Sequence, residues 1–273
     1  MRELPVSPAA VRELLRELES SGRRPHVLAL GGASELAPVL RRQLLGGGGE
    51  PSALRVGEPE GADIYVHVLG VEAGPADEAL LRRARRARVP TVAVAVGPLA
   101  GSAAVPYVLA TDVVRVAPGE GFPLAAIART VAARLPEDAT PLAARVPLLR
   151  DAVCAQLVAS FARTNALLAA AAQRRGAEPA SLTLRQLRLV LRLAQAYGEQ
   201  DVRGRLPELA AALGAALGLR ALARKALAGS PPAPWALSGL VAYLGTVALG
   251  QAARTRFALA STPPPAAAGR AEP

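Results

Sequence analysis

A chain of 273 residues with 51% apolar side chains has enough material to bury the core of one large domain or two ordinary ones, which excludes a largely disordered chain. Aromatic residues make up only 3%, so helices packed through Ala and Leu are expected in place of a large aromatic-lined pocket. The formal charge is +10, and the lone Cys154 can close no intramolecular disulfide, so an intracellular setting is expected, either cytoplasmic or membrane-associated.

The charge is unevenly spread. Residues 1–149 carry 17 basic and 16 acidic side chains, whereas residues 150–273 carry 15 and 6, so the basic excess belongs to the C-terminal half.

The first residues, Met1-Arg2-Glu3-Leu4-Pro5, are charged and unlike a secretory signal. Ser7 and Pro8 supply an N-cap and a first helical position, and Val11, Leu14, Leu15 and Leu18 follow at helical spacing. With Ser20-Ser21-Gly22 as its end, an N-terminal helix is predicted within residues 1–22.

Five short apolar runs come next, at 27–30, 53–56, 64–69, 91–96 and 113–117, and read as buried parallel strands. Helical patterns at 39–45, 76–87 and 123–135 alternate with them, which predicts a doubly wound α/β domain over 23–135 with a mostly parallel five-stranded sheet. Residues 136–147 contain Pro136, Pro141 and Pro147 and read as a linker. Beyond it, helical patterns at 148–173, 182–197, 207–228 and 235–257 predict an all-α domain over 148–260, with a disordered tail at 261–273.

The segment after the first strand carries the main chemical question. A phosphate-binding loop needs glycines for the turn, a Lys against the phosphates and a Ser or Thr for Mg²⁺. Here the residues are Gly31-Gly32-Ala33-Ser34-Glu35-Leu36-Ala37-Pro38, so with Gly31 as the first glycine, Leu36, Ala37 and Pro38 occupy the Gly, Lys and Ser/Thr positions. Pro38 also removes a backbone donor, and the charge of Glu35 would repel phosphate.

Around this loop the chain resembles the Era-like small GTPase domains. Gly61-Ala62-Asp63-Ile64-Tyr65-Val66 is similar to one of their strands, and Gly74-Pro75-Ala76-Asp77-Glu78 to the helix start after it. The strand at 91–96 resembles the one before their guanine-specificity motif, but Gly97-Pro98-Leu99-Ala100 follows, without a carboxylate for the base. Val116-Ala117-Pro118-Gly119-Glu120-Gly121-Phe122 resembles their last loop, lacking its serine. The resemblance implies a degenerate GTPase-shaped domain; the alternative is an ordinary doubly wound fold without that ancestry. Both readings predict no nucleotide, no cofactor and no catalysis.

His26 and His67 have no companions at metal-ligand spacing, and a core or edge role is expected for each. Cys154 lies in an apolar helical pattern and is expected to be a buried thiol. No catalytic or metal-binding residue is therefore expected.

In the helical half, the run Leu182 to Ala194 continuing through Tyr197-Gly198, the run Gly218-Leu219-Arg220-Ala221-Leu222-Ala223-Arg224, and Ala242-Tyr243-Leu244-Gly245-Thr246-Val247-Ala248-Leu249-Gly250 resemble the YcjF-type bacterial family. That family has a C-terminal domain of unknown function often found behind GTPase domains. The resemblance implies membrane association, as for some members, and brings no activity. At 170–181 the chain departs from the family's apolar hairpin with Gln173-Arg174-Arg175-Gly176-Ala177-Glu178, so no membrane-dipping role is carried over to that loop.

Residues 226–253 hold no charge over 28 positions, between Lys225 and Arg254, and about 20 apolar residues suffice to cross a bilayer. Trp235 and Tyr243 suit an interface, while Gly239, Gly245 and Gly250 permit close helix packing. Gly214 and Gly218, four apart on one face, would mark the packing partner at 209–219. The pair is predicted as either buried core or membrane-associated.

Arg185, Arg188 and Arg192 stand at i, i+3 and i+7 opposite Leu184, Leu187, Leu191 and Ala194. They predict a solvated basic face, or one that meets anionic lipid or an acidic protein surface. The function expected from these readings is a non-catalytic scaffold or regulatory protein that engages a membrane or a protein. The alternative is nucleic-acid binding by the basic half, although stacking aromatics are nearly absent.

Overall fold

The computed structural model describes residues 7–70, 74–97, 104–175, 180–199 and 234–261. It contains a five-stranded parallel sheet with helices and a helical C-terminal region.

Helix α1 (Pro8–Arg23) begins as expected, with the Ser7 side chain accepting the Ala10 N–H at 3.2 Å and Pro8 in its first turn. It runs past Ser20-Ser21-Gly22 to Arg23, because Ser20 Oγ turns back to Glu17 O at 2.7 Å and leaves the backbone helical. Leu14, Leu15 and Leu18 are its buried stripe.

The strands are β1 (Leu28–Gly32), β2 (Leu54–Val56), β3 (Ile64–Leu69), β4 (Thr91–Val96) and β5 (Val113–Val116), in the order β2-β1-β3-β4-β5 with every pair parallel. Between and after them lie α2 (Leu36–Leu45), α3 (Pro75–Arg86) and α4 (Leu124–Arg134). Strand alternation divides the side chains: Leu28, Leu30, Ile64, Val66, Val68, Val92 and Val94 join α2 and α4 in the main core. Ala29 and Tyr65 point the other way, against Ala84 of α3 and Val89.

Among the described residues four further α-helices follow: α5 (Leu142–Arg145), α6 (Pro147–Arg175), α7 (Ala180–Ala196) and α8 (Pro234–Ser261). The helix expected at 207–228, with Gly214 and Gly218, and the tail beyond Ser261 lie outside the described residues.

The linker expected at 136–147 is packed structure instead. Ala139, Thr140, Leu142, Ala143 and Val146 are buried, and Pro136, Pro141 and Pro147 each stand at the start of a helical turn. Arg145 clamps this segment to the sheet: its Nε and Nη2 donate to the Glu50 carboxylate at 2.7 and 2.9 Å, and its Nη1 to His26 O at 2.7 Å. In return the Glu50 N–H donates to Arg145 O at 2.7 Å. One hydrophobic cluster consequently runs from Leu28 through α4, α6 and α7 to Phe257 of α8, so the α/β and helical parts share a core.

Helices α6 and α8 pack antiparallel, with Gly239 beside Ala166, Gly250 beside Val158 and Arg254 within 3.4 Å of Asp151. A Cβ on Gly250 would come within 2.5 Å of Val158, and one on Gly239 within 3.1 Å of Ala166 O. Both glycines therefore set the approach of the two helices. Gly245 lies between them, half-buried.

Candidate functional site

The loop after β1 is occupied by the protein's own groups. Gly32 has φ +96°, a value that favours glycine, and a Cβ there would meet Val68 O at 2.1 Å. The Ala33 N–H donates to Val68 O at 2.8 Å, and the N–H groups of Leu36 and Ala37 both turn to Ala33 O. Three amides that could face a phosphate are thus consumed in closing the turn into α2. Glu35 stands exposed at the N-cap of α2 and makes no side-chain capping bond.

Beneath this loop lies a hydrogen-bonded chain that sequence reading missed. Tyr65 Oη is 3.0 Å from His67 Nδ1, and His67 Nε2 is 2.9 Å from Asp77 Oδ1. Asp77 is the third residue of α3, and its Oδ2 accepts the Gly74 N–H at 2.9 Å, closing the helix start. The only signal available was that Tyr65 and His67 stand two apart on a strand, which puts them on one face.

Burial pushes the His67 pKa below its ordinary value against the opposing pull of Asp77, so the ring is neutral at pH 7. Nε2–H then donates to Asp77, and Nδ1 accepts the Tyr65 O–H. Burial, reinforced by the Asp77 charge, raises the Tyr65 pKa. An Asp-His-hydroxyl series is the arrangement that activates nucleophiles. Here the hydroxyl belongs to a fully buried tyrosine, and a Cβ on Gly31 would lie 2.2 Å from its oxygen. The chain ties α3 to the sheet, and its phenol has no room for a substrate.

A cleft of about 300 Å³ opens beside Asp77 and Glu78, lined also by Leu69, Leu81, Ala95 and Val105, near the carboxyl ends of β3 and β4. Among the described residues no three His, Cys, Asp or Glu side chains converge as a metal site. Cys154 is buried and unbonded.

His26 is buried between the end of α1 and the start of β3. Its Nε2 faces Ser21 O at 2.9 Å, and its Nδ1 lies 3.2 Å from Asp63 Oδ1 as an ion-pair contact away from the ideal hydrogen-bond direction. Asp63 Oδ2 in turn accepts the Val27 N–H at 2.9 Å.

Of the three arginines expected to form a solvated or lipid-facing set, Arg192 is buried, while Arg185 and Arg188 are partly exposed and engaged by the molecule's own groups. Arg192 is 1% exposed and donates to Ser21 Oγ at 2.8 Å and to Gln195 Oε1 at 3.2 Å. Arg188 pairs with Glu17 and, at 3.2 Å, with Glu137. Arg185 Nε donates to Asn165 Oδ1 at 3.2 Å, and its guanidinium lies over the Phe161 ring. The reason is that α7 is enclosed: α1 and the turn at Glu137 bring carboxylates to one side, and α6 brings Asn165 and Phe161 to another.

A separate feature is the set of exposed apolar side chains on α6 and α8. Leu167 is 72% exposed and Leu244 56%, and Leu168, Trp235, Leu240 and Tyr243 are exposed with them. The stretches Pro147–Ala172 and Trp235–Ala260 are both long and apolar enough to cross a membrane, with 39% and 33% of their most apolar windows buried. Within the pair, Asn165 Nδ2 donates to Thr246 Oγ1 at 3.1 Å, a buried polar link between otherwise apolar faces.

Comparison of the chain with protein-family models, with curated proteins and with solved structures finds no match.

Proposed function

We propose that the protein is a non-catalytic scaffold that attaches to membranes through exposed apolar side chains of the α6–α8 pair and holds a degenerate GTPase-like, doubly wound α/β module beside the bilayer. The observation that carries this reading is the exposure of Leu167, Leu168, Leu240, Leu244, Trp235 and Tyr243 on two helices of membrane-spanning length. The closed turn after β1, in which Ala33, Leu36 and Ala37 spend their amides internally, supports the absence of triphosphate binding.

Vesicle flotation of the full chain tests the attachment. The wild type is expected to rise with vesicles and to resist a carbonate wash in fractionated cells, while a Leu240→Glu, Leu244→Glu variant stays with the soluble pool. Equal flotation of both, or none by either, would overturn the reading. Calorimetry with Mg·GTP is expected to show no saturable heat, and micromolar affinity would remove the non-catalytic part. The nucleic-acid alternative loses support because Arg188 and Arg192 spend their charge on Glu17 and Glu137.

A further inference from the structure

Among the described residues strand β2 is an open edge of the sheet, pairing with β1 alone. Beside it lies a groove of about 660 Å³, with Val27, Leu54, Val56, Pro38 and Pro51 as apolar lining and Arg41, Arg42 and Arg55 as its charges. Pro38, Arg41 and Arg42 stand at i, i+3 and i+4 on α2, so one helix face forms the wall opposite the strand.

None of these guanidiniums forms a salt bridge with a described carboxylate. Arg41 donates to Leu54 O at 2.8 Å and Pro51 O at 3.0 Å, Arg55 donates to Glu58 O and Glu60 O, and Arg42 is exposed. The acids nearby are engaged elsewhere, Glu50 by Arg145 and both Glu58 and Glu60 by Arg83. The groove is therefore a net cationic channel with an apolar floor.

Its strand edge also offers backbone groups. The Gly57 N–H donates to Leu30 O at 2.8 Å, and a parallel ladder bonds alternate residues to the same neighbour. Leu54 and Val56 accordingly direct their backbone groups outward. Arg41 covers the Leu54 carbonyl, whereas Val56, 44% exposed, leaves its N–H and C=O facing the groove.

We propose that this edge is a docking site for an extended acidic polypeptide segment, which adds to β2 through Val56 and sets its carboxylates against Arg41 and Arg42. A strand supplies the donors and acceptors that Val56 lacks, its side chains on the α2 face set carboxylates against Arg41 and Arg42, and its alternate, apolar side chains lie on the other face beside the stem of Arg55. A nucleic acid would match the charge but not the strand edge, and no aromatic side chain lines the groove for base stacking. A second copy of the same edge would bring arginine against arginine.

The test is fluorescence anisotropy of the full chain with a dye-labelled peptide of alternating Val and Glu, a second of alternating Val and Lys, and a single-stranded DNA oligonucleotide. The Val-Glu peptide is expected to bind and to weaken with salt. Arg42→Glu should weaken it about tenfold and gain affinity for the Val-Lys peptide, which also shows that the variant is folded. Val56→Pro, tolerated on an edge strand, should weaken the Val-Glu peptide through loss of the N–H. The proposal is overturned by no Val-Glu binding, by unchanged binding in both variants, by equal oligonucleotide binding, or by edge-dependent self-association in sedimentation.

Discussion

Arg192 on α7 donates to Ser21 Oγ on α1 at 2.8 Å across 171 positions of sequence, with Glu17 Oε1 3.4 Å from the same guanidinium. Burial pulls the pKa of this arginine below its ordinary value, and the charges of Glu137 and Glu17 oppose that pull. Arg192→Leu should cost about 2–3 kcal/mol, because Ser21 and Gln195 lose a charged partner inside the fold. Arg188→Leu, whose ion pairs are half-exposed, should cost under about 1 kcal/mol. Urea unfolding of the two variants separates these values, and equal small losses would show that the α1–α7 contact is not an anchor.

The His26–Asp63 contact predicts a pH window. Burial works against the charged imidazole, but the Asp63 carboxylate and Ser21 O more than offset it and hold His26 above 6.5. For Asp63 burial raises the pKa, and the bonds from His26 and Val27 outweigh it and hold the group below 3.8. The raised histidine stabilises fully below its unfolded value and loses this as pH climbs through the folded value. The depressed aspartate stabilises above its unfolded value and loses this as pH falls through the folded one. The stability difference between wild type and His26→Gln should thus be greatest between pH 3.8 and 6.5 and shrink on the alkaline side. Urea midpoints measured across that range check it; a pH-independent difference would remove the ion pair from the explanation.

The Tyr65-His67-Asp77 chain predicts a coupling. His67→Leu leaves the Tyr65 hydroxyl without its acceptor and should cost about 1–3 kcal/mol. Adding Tyr65→Phe removes the stranded hydroxyl and should recover part of that loss, giving a non-additive cycle. Asp77→Ala should also raise hydrogen exchange at the start of α3, where the Gly74 N–H loses its acceptor.

The α6–α8 contact predicts a steric rescue. Gly250→Ala drives a methyl into the stiff side chain of Val158 and should cost about 1–3 kcal/mol, despite the better helix propensity of alanine. Val158→Ala in the same molecule vacates that volume and should make the glycine substitution nearly neutral or favourable. Thermal melts of the four proteins in the cycle decide it. An unchanged cost in the Val158→Ala background would mean that the helices are not held at that spacing.

The strands were legible because parallel strands buried on both faces appear as continuous aliphatic runs; β3 and β4 coincide with the runs at 64–69 and 91–96. Helices α3 and α6 were legible from their patterns to within two residues at either end. The segment at 136–147 was misread because proline punctuates linkers and also occupies helix starts, and only the burial of Leu142 and Val146 separates the two uses. The burial of Arg192, beside the partly exposed Arg185 and Arg188 of α7, was not legible for a related reason. Their spacing identifies a common face, but a face becomes solvent or interior according to what packs on it.

By itself the order of residues determined most backbone elements, the parallel sheet, the apolar length of α6 and α8 and the lack of a lysine in residues 31–38. These follow from local periodicity and side-chain chemistry, which act over a few residues. The tertiary structure alone decided that Arg192 meets Ser21, that His67 links Tyr65 to Asp77, and that Arg41 guards the edge of β2. Such pairings depend on loop closure and on which carboxylate or carbonyl arrives from another element, and no periodicity within one segment encodes that arrival.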